Sequence, residues 1–190
     1  MNILWDFDGT IVDSYKLFVS LFKKVLGERI SEDEILSHLK VSFSHTIEHY
    51  ELSDHQIRKI RNLEAKLEPK EFMPFPDLKK VLGLADRNFI VTHNSREVVL
   101  EVLNEYQLAH FFTRIIGVED QFPRKPDVRA YEHIMEDYPI NLVVGDRKLD
   151  LIPAKKLGIP TCIFQNEKYA EADHSVHSYL ELYQLLIKRN

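Results

Sequence analysis

Asp6 and Asp8 stand one residue apart in ILWDFDGTIVDS, at the end of an apolar run and directly before Gly9. Side chains along a strand repeat every two residues, so both carboxylates share one side while Phe7 turns to the other. Three more polar clusters follow apolar runs later in the chain: Thr92-His93-Asn94-Ser95, Arg124-Lys125-Pro126 and Gly145-Asp146-Arg147-Lys148-Leu149-Asp150. Carboxylates that converge repel, and their pKa values rise unless a cation joins them. Oxygen-only donors favour Mg²⁺, a hard ion that takes few protein ligands, keeps waters and binds substrate phosphate. The Thr92 hydroxyl and the Lys125 ammonium then face the same anion from the other side. Together these parts describe a phosphoryl-transfer site.

Each part alone has a plainer reading. Asp6 and Asp8 suit a solvated strand end before a glycine turn about as well as they suit catalysis. Asp146 and Asp150 suit the first turn of a helix, where acids are stabilising. A single lysine is ordinarily a solvated charge, and a single threonine a turn hydroxyl. What favours one site is the order of the four clusters and the edge they share.

That edge follows from the elements. Five short apolar, branched or aromatic runs read as buried strands: Ile3 to Phe7, Phe89 to Thr92, Ile115 to Val118, Leu142 to Val144 and Thr161 to Phe164. Helix-length segments separate the later ones: Ser95 to Tyr106, Pro126 to Tyr138 and Leu149 to Leu157, the last stopped by Gly158. Alternation of strand and helix implies an α/β, doubly wound parallel sheet with right-handed crossovers. Ligands of such sheets bind beyond the carboxyl ends of the strands, where all four clusters fall.

The first two strands are separated by a long interval, roughly Tyr15 to Asn88. Its apolar positions recur at three and four residues, as in Leu17, Leu21 and Val25, then Ile57, Ile60 and Leu67. This is too long for one crossover and reads as an inserted helical module. The expected organisation is a core of residues 1–13 and 80–190 with a helical insert over residues 14–79. The core resumes with a helix around Asp77 to Leu84, after Pro69, Pro74 and Pro76.

Bulk properties exclude other classes. With 190 residues and 44% hydrophobic content the chain can bury a core, and a net charge of -5 gives no long-range attraction for nucleic acid or an anionic membrane. The single cysteine, Cys162, lies in the apolar stretch Thr161 to Phe164 and reads as a buried small hydrophobe in a reducing compartment. Without a basic leader or a run of ~20 apolar residues, the expectation is a cytoplasmic protein. Oligomeric state is not readable.

With these residues in hand, the chain resembles the haloacid dehalogenase superfamily, in particular the branch of phosphoglycolate phosphatases and β-phosphoglucomutases. DFDGTIVDS is similar to that family's first motif, DxDGTxxDS; Thr92 after Phe89-Ile90-Val91 resembles the second, Lys125 in RKPD the third, and VVGDRKLD the fourth, GDxxxD. The resemblance implies strand order 3-2-1-4-5 and a helical cap inserted after the first motif. It also implies roles: Asp6 as nucleophile and Mg²⁺ ligand, and Asp8 as general acid and base whose main-chain carbonyl also binds the metal. Asp146 becomes a direct metal ligand and Asp150 an organiser of the metal's surroundings. Thr92 and Lys125 hold the phosphoryl oxygens, and Gly9, Thr10, His93 and Asn94 line the substrate phosphate.

Three residues depart from the pattern: His93, Arg147 and Asp127. In the expected cap, Lys40 to Thr46 is the polar and aromatic stretch placed to read the leaving group. His45 and His49 are spaced i, i+4, as a metal pair would be, but lack a third ligand nearby and read as an exposed helical face, as do His174 and His177. The functional expectation is Mg²⁺-dependent hydrolysis of a small phosphorylated metabolite, phosphoglycolate or a sugar phosphate, through an aspartyl-phosphate. A phosphomutase is the alternative. A receiver-like signalling domain fits less well because it lacks a large helical insert, and a catalytically silent binding protein would not require every charged group.

Overall fold

The computed structural model describes residues 1–166 and 171–188. The chain forms two compact units, Met1–Val12 with Pro74–Asn190, and Asp13–Met73. The return to the first unit comes at Pro74, a few residues before the point the sequence pattern suggests, because Phe75 already packs against Phe164 and Tyr179.

The first unit is built on a parallel sheet of β1 (Asn2–Trp5), β2 (Arg87–Val91), β3 (Phe112–Ile116), β4 (Leu142–Gly145), β5 (Thr161–Phe164) and β6 (His174–Val176). Its order is β3-β2-β1-β4-β5-β6, and every pairing is parallel. Five strands stand in the order that the family resemblance implies, and the sixth extends the sheet. The sequence pattern does not reveal β6: three residues are too few for a period, and its pairing is made by backbone groups. Asp173 secures its start by accepting from the Thr161 N–H at 2.8 Å and hydroxyl at 2.7 Å. His174 therefore opens an edge strand and His177 follows it; the helical face expected for this pair is not there.

β1, β4 and β5 are buried on both faces, as strands covered by crossover helices must be. On one face Leu4, Phe89, Val91, Val143 and Ile163 meet Tyr131 and Ile134 of α7 (Arg129–Met135), and Leu151 and Ala154 of α8 (Lys148–Lys156). On the other, Trp5, Phe75 and Phe164 gather around Tyr179, which opens α9 (Tyr179–Ile187). Each buried aromatic or branched side chain contributes roughly 1.5–3 kcal/mol. The Trp5 indole N–H is satisfied by Asn88 Oδ1 at 2.9 Å. The unit also contains α5 (Leu78–Leu82), and α6 (Arg96–Glu105), capped by Ser95 Oγ. Cys162 is buried, as its surroundings in the sequence suggest.

The second unit contains α1 (Tyr15–Leu26), α2 (Glu32–Leu39), α3 (Phe43–His49) and α4 (Asp54–Glu64). Tyr15, Phe18, Val19 and Phe22 lie at i, i+3, i+4 and i+7 on α1 and bury one stripe against Ile35 and Leu39 of α2 and Ile60 of α4. Phe43 inserts edge-on against Phe18 and Phe22, with centroids 6.2 and 5.1 Å away. Serine caps start three of the helices: Ser31, Ser42 and Ser53 each accept from the N–H three residues on. Among the described residues, no helix is long and apolar enough to cross a membrane.

Candidate active site

Asp6 stays locked to the sheet after β1 ends, because its N–H donates to Val144 O at 3.0 Å. The chain must then turn sharply. Gly9 takes φ +73°, a value a side chain would resist, and its N–H closes the turn on Val12 O at 2.8 Å. β1 and β4 are neighbours, so Asp6 and Asp146 leave the sheet side by side. Asp150 reaches the same place from the first turn of α8, where its Oδ2 accepts from the Arg147 N–H at 3.0 Å. Asp6, Asp146 and Asp150 are all buried, and one oxygen from each lies within 4.8 Å of the others.

Among the described residues, two cations answer these acids. Lys125, itself buried, places Nζ 2.5 Å from Asp6 Oδ1, 2.6 Å from Asp150 Oδ1 and 3.0 Å from Val91 O. The Arg147 guanidinium lies 3.3 Å from Asp6, 3.4 Å from Asp150 and 3.7 Å from Asp146. Arg147 thus appears in the sequence as a departure from a motif and in the structure as the second counter-charge. Its i, i+3 spacing to Asp150 is the signal that reveals it.

The charges are not evenly settled. Burial works against the Lys125 ammonium, but Asp150 and then Asp6 outweigh it and raise its pKa. Asp150 is held low despite its own burial, by Lys125 and then Arg147. Asp6 is left with the deficit: burial first, then Asp150, push its carboxyl up to about 6 against the pull of Lys125 and Arg147. Lys125 and Asp150 form the satisfied pair, and Asp6 is the acid that one more positive charge would ionise fully. A buried all-oxygen donor set with an under-compensated carboxylate is what a hard divalent cation fits. Asp6, Asp146 and Asp150 are the side chains able to hold it, with Arg147 sharing their oxygens.

The remaining expected residues surround this centre. The Asp8 side chain is not part of the three-acid group; its Oδ2 accepts from Asn94 Nδ2 at 2.8 Å. Thr92 is buried, and its Oγ1 accepts from the Asn94 N–H at 3.1 Å. Thr10 is buried, with its carbonyl held by the Tyr179 hydroxyl at 2.6 Å. His93 Nε2 accepts from the Lys125 N–H at 2.9 Å, so this departure from the motif fixes the backbone that carries the lysine. Asp127 instead grips Arg129 with both oxygens at 2.9 Å on the exposed side of the loop. Asn166 is invisible in the sequence pattern: it follows β5 and donates to Asp146 O at 2.7 Å.

His93 yields a stability prediction. Burial first, then Lys125 and Arg124, lower its pKa from 6.5 to about 3, in keeping with a nitrogen that accepts from Lys125. A lowered folded value means that its stabilising effect is complete above 6.5 and is lost as pH falls toward about 3. Glutamine retains an acceptor without titrating. From about pH 7 to about pH 4, His93→Gln is expected to lose less melting temperature than the wild type. Equal losses in thermal scans would contradict the assignment.

Known proteins place this arrangement. The haloacid dehalogenase-like hydrolase family matches residues 3–164. A relative from Caldanaerobacter subterraneus subsp. tengcongensis, whose name carries a provisional pyrophosphatase assignment (PpaX), is 25% identical over 171 residues, 83% of this chain and 78% of its own. A Vibrio cholerae phosphoglycolate phosphatase is 37% identical over 93 residues, 44% of this chain and 41% of its own. Among solved structures, a haloacid dehalogenase-like protein from Agrobacterium tumefaciens superposes with a TM-score of 0.83 at 18% identity, covering 99% of this chain and 98% of that one. The family match spans the sheet through β5 and includes every acid and lysine of the site, and on that ground the chain belongs to the haloacid dehalogenase-like hydrolases.

Proposed function

We propose that this hydrolase is a Mg²⁺-dependent phosphatase that cleaves a small phosphomonoester through an aspartyl-phosphate on Asp6. The observation that carries the reading is Lys125 Nζ held between Asp6 and Asp150 at 2.5 and 2.6 Å, in a buried site where Asp146 also converges. In this reading a carboxylate oxygen of Asp6 attacks phosphorus while the ester P–O bond breaks. Asp8, positioned by Asn94, gives its proton to the departing alkoxide. It then takes a proton from the water that attacks the phosphorus, the Asp6–phosphorus bond breaks, and inorganic phosphate leaves. Lys125 and Thr92 hold the equatorial phosphoryl oxygens. Asp150 keeps Lys125 charged, and Arg147 gives up contacts with the acids as the site loads. When bound at Asp6, Asp146 and the main-chain oxygen of Asp8, Mg²⁺ supplies charge neutralisation for the anionic nucleophile and phosphate.

Phosphoglycolate or a sugar phosphate is the substrate type favoured, in line with the name of the V. cholerae relative. A second reading, cleavage of the phosphoanhydride of pyrophosphate, is favoured by the relative whose similarity spans the larger share of the chain. Phosphate release from phosphoglycolate, sugar phosphates, pyrophosphate and an aryl phosphate, with Mg²⁺ and with chelator, tests both. Turnover that requires Mg²⁺ and prefers a monoester is expected. Inertness toward every ester with Mg²⁺ present would refute the proposal.

Gly145 gives a steric test of the same site. A Cβ there would stand 2.5 Å from Asp150 Cβ and 3.1 Å from Asp150 Cγ. Gly145→Ala must displace Asp150 from Lys125, with an expected loss of about tenfold or more in kcat and about 1–3 kcal/mol of stability from the overpacking. Wild-type kinetics in that variant would show that the position of Asp150 is immaterial.

A further inference from the structure

The second unit contains a cluster that the acid site does not use. Glu34 and His38 are i, i+4 on α2, His45 and His49 are i, i+4 on α3, and the two pairs face one another across the short turn between the helices. One ligand atom each from Glu34, His38 and His49 lies within 4.8 Å of the others. The His38 and His49 rings stack with centroids 3.6 Å apart, and His38 Nδ1 is 3.1 Å from His45 Nε2. The Tyr50 hydroxyl steadies Glu34 Oε1 at 3.3 Å. The third ligand that His45 and His49 lack in the sequence is therefore supplied by α2.

We propose that Glu34, His38 and His49 form a binding site for a borderline divalent transition metal of the Zn²⁺ type, with His45 orienting His38. Two imidazoles and a carboxylate are a donor set suited to zinc and its neighbours and unlike the all-oxygen set of the acid site. Zinc donors at about 2.0–2.2 Å stand about 3.3 Å apart in tetrahedral geometry. These exposed or half-exposed side chains close to that span by side-chain rotation. His45 Nε2 holds the His38 ring at Nδ1, the usual way a ligating ring is oriented. Binding would clip α2 to α3 and stabilise the helical unit by mass action. The proposal does not depend on the phosphatase reading.

The test is titration with Zn²⁺ against a chromophoric chelator, in excess Mg²⁺ so that the acid site does not compete. One Zn²⁺ per wild-type chain is expected. The double variant His38→Gln with His49→Gln should lose about a hundredfold or more in affinity, whereas His110→Gln should lose none. At about a hundredfold excess over Kd, zinc should raise the wild-type melting temperature by about 5 °C or more. Nitrogen-15 spectra of the wild-type histidines are a readout that needs no variant: zinc should shift the rings of His38 and His49. A wild type that binds no zinc, a folded double variant with unchanged affinity, or unshifted His38 and His49 resonances would overturn the site.

Discussion

Asp6→Asn is expected to lower turnover of the best phosphate ester by about 10⁴-fold or more, the scale of losing a nucleophile. It should leave the fold nearly intact. Lys125 retains Asp150 at 2.6 Å, and the carboxyl removed is the one that burial and Asp150 destabilise. The same substitution changes the pH response of protein stripped of divalent cations. A carboxyl raised from 3.8 to about 6 favours folding below 3.8, and this contribution is lost as pH rises to about 6. Asparagine removes that decline, so the variant's melting temperature should overtake the wild type's as pH rises through this window. His93 opposes Asp6 over part of the same range, so the comparison is made between variant and wild type at each pH. Turnover by Asp6→Asn within tenfold of wild type would remove Asp6 from the chemistry.

Lys125→Met should affect both function and folding. Methionine fills the stem of the lysine but leaves Asp6 and Asp150 facing each other with, among the described residues, Arg147 as the remaining cation. Removing one partner of a buried ion pair costs about 3–5 kcal/mol. Removing a positioned donor from a developing oxyanion costs about 10²–10³ in kcat. A divalent cation restores part of the missing charge, so Mg²⁺ should raise the variant's melting temperature more than the wild type's. Calorimetric scans with and without Mg²⁺, alongside kcat, check both. A variant as stable as the wild type would mean that the lysine is not the charge that holds these acids together.

Much of this arrangement is legible in the sequence. The acids of DFDGT and GDRKLD follow apolar runs, and parallel pairing brings such strand ends to one edge. The exceptions share a physical cause: they depend on contacts between segments far apart in the chain. β6 is held by backbone pairing to β5 and by Asp173, leaving no periodic trace. Asn166 reaches Asp146 because β5 ends beside β4. His93 looks out of place in its motif and is explained by the Lys125 N–H, 32 residues away.

The amino-acid sequence alone determined the layered α/β class, the helical insert and the identity of the acids that meet at the sheet edge, because periodicity, turn residues and charge are local properties. Only the tertiary structure decided how charge is shared. It held Lys125 between Asp6 and Asp150, turned Asp8 toward Asn94 and set Arg147 among the acids. It also joined His38 to His49. These outcomes depend on distances of a few ångströms in a buried setting, where Coulomb energies are large and no neighbour in the chain can stand in for a neighbour in space.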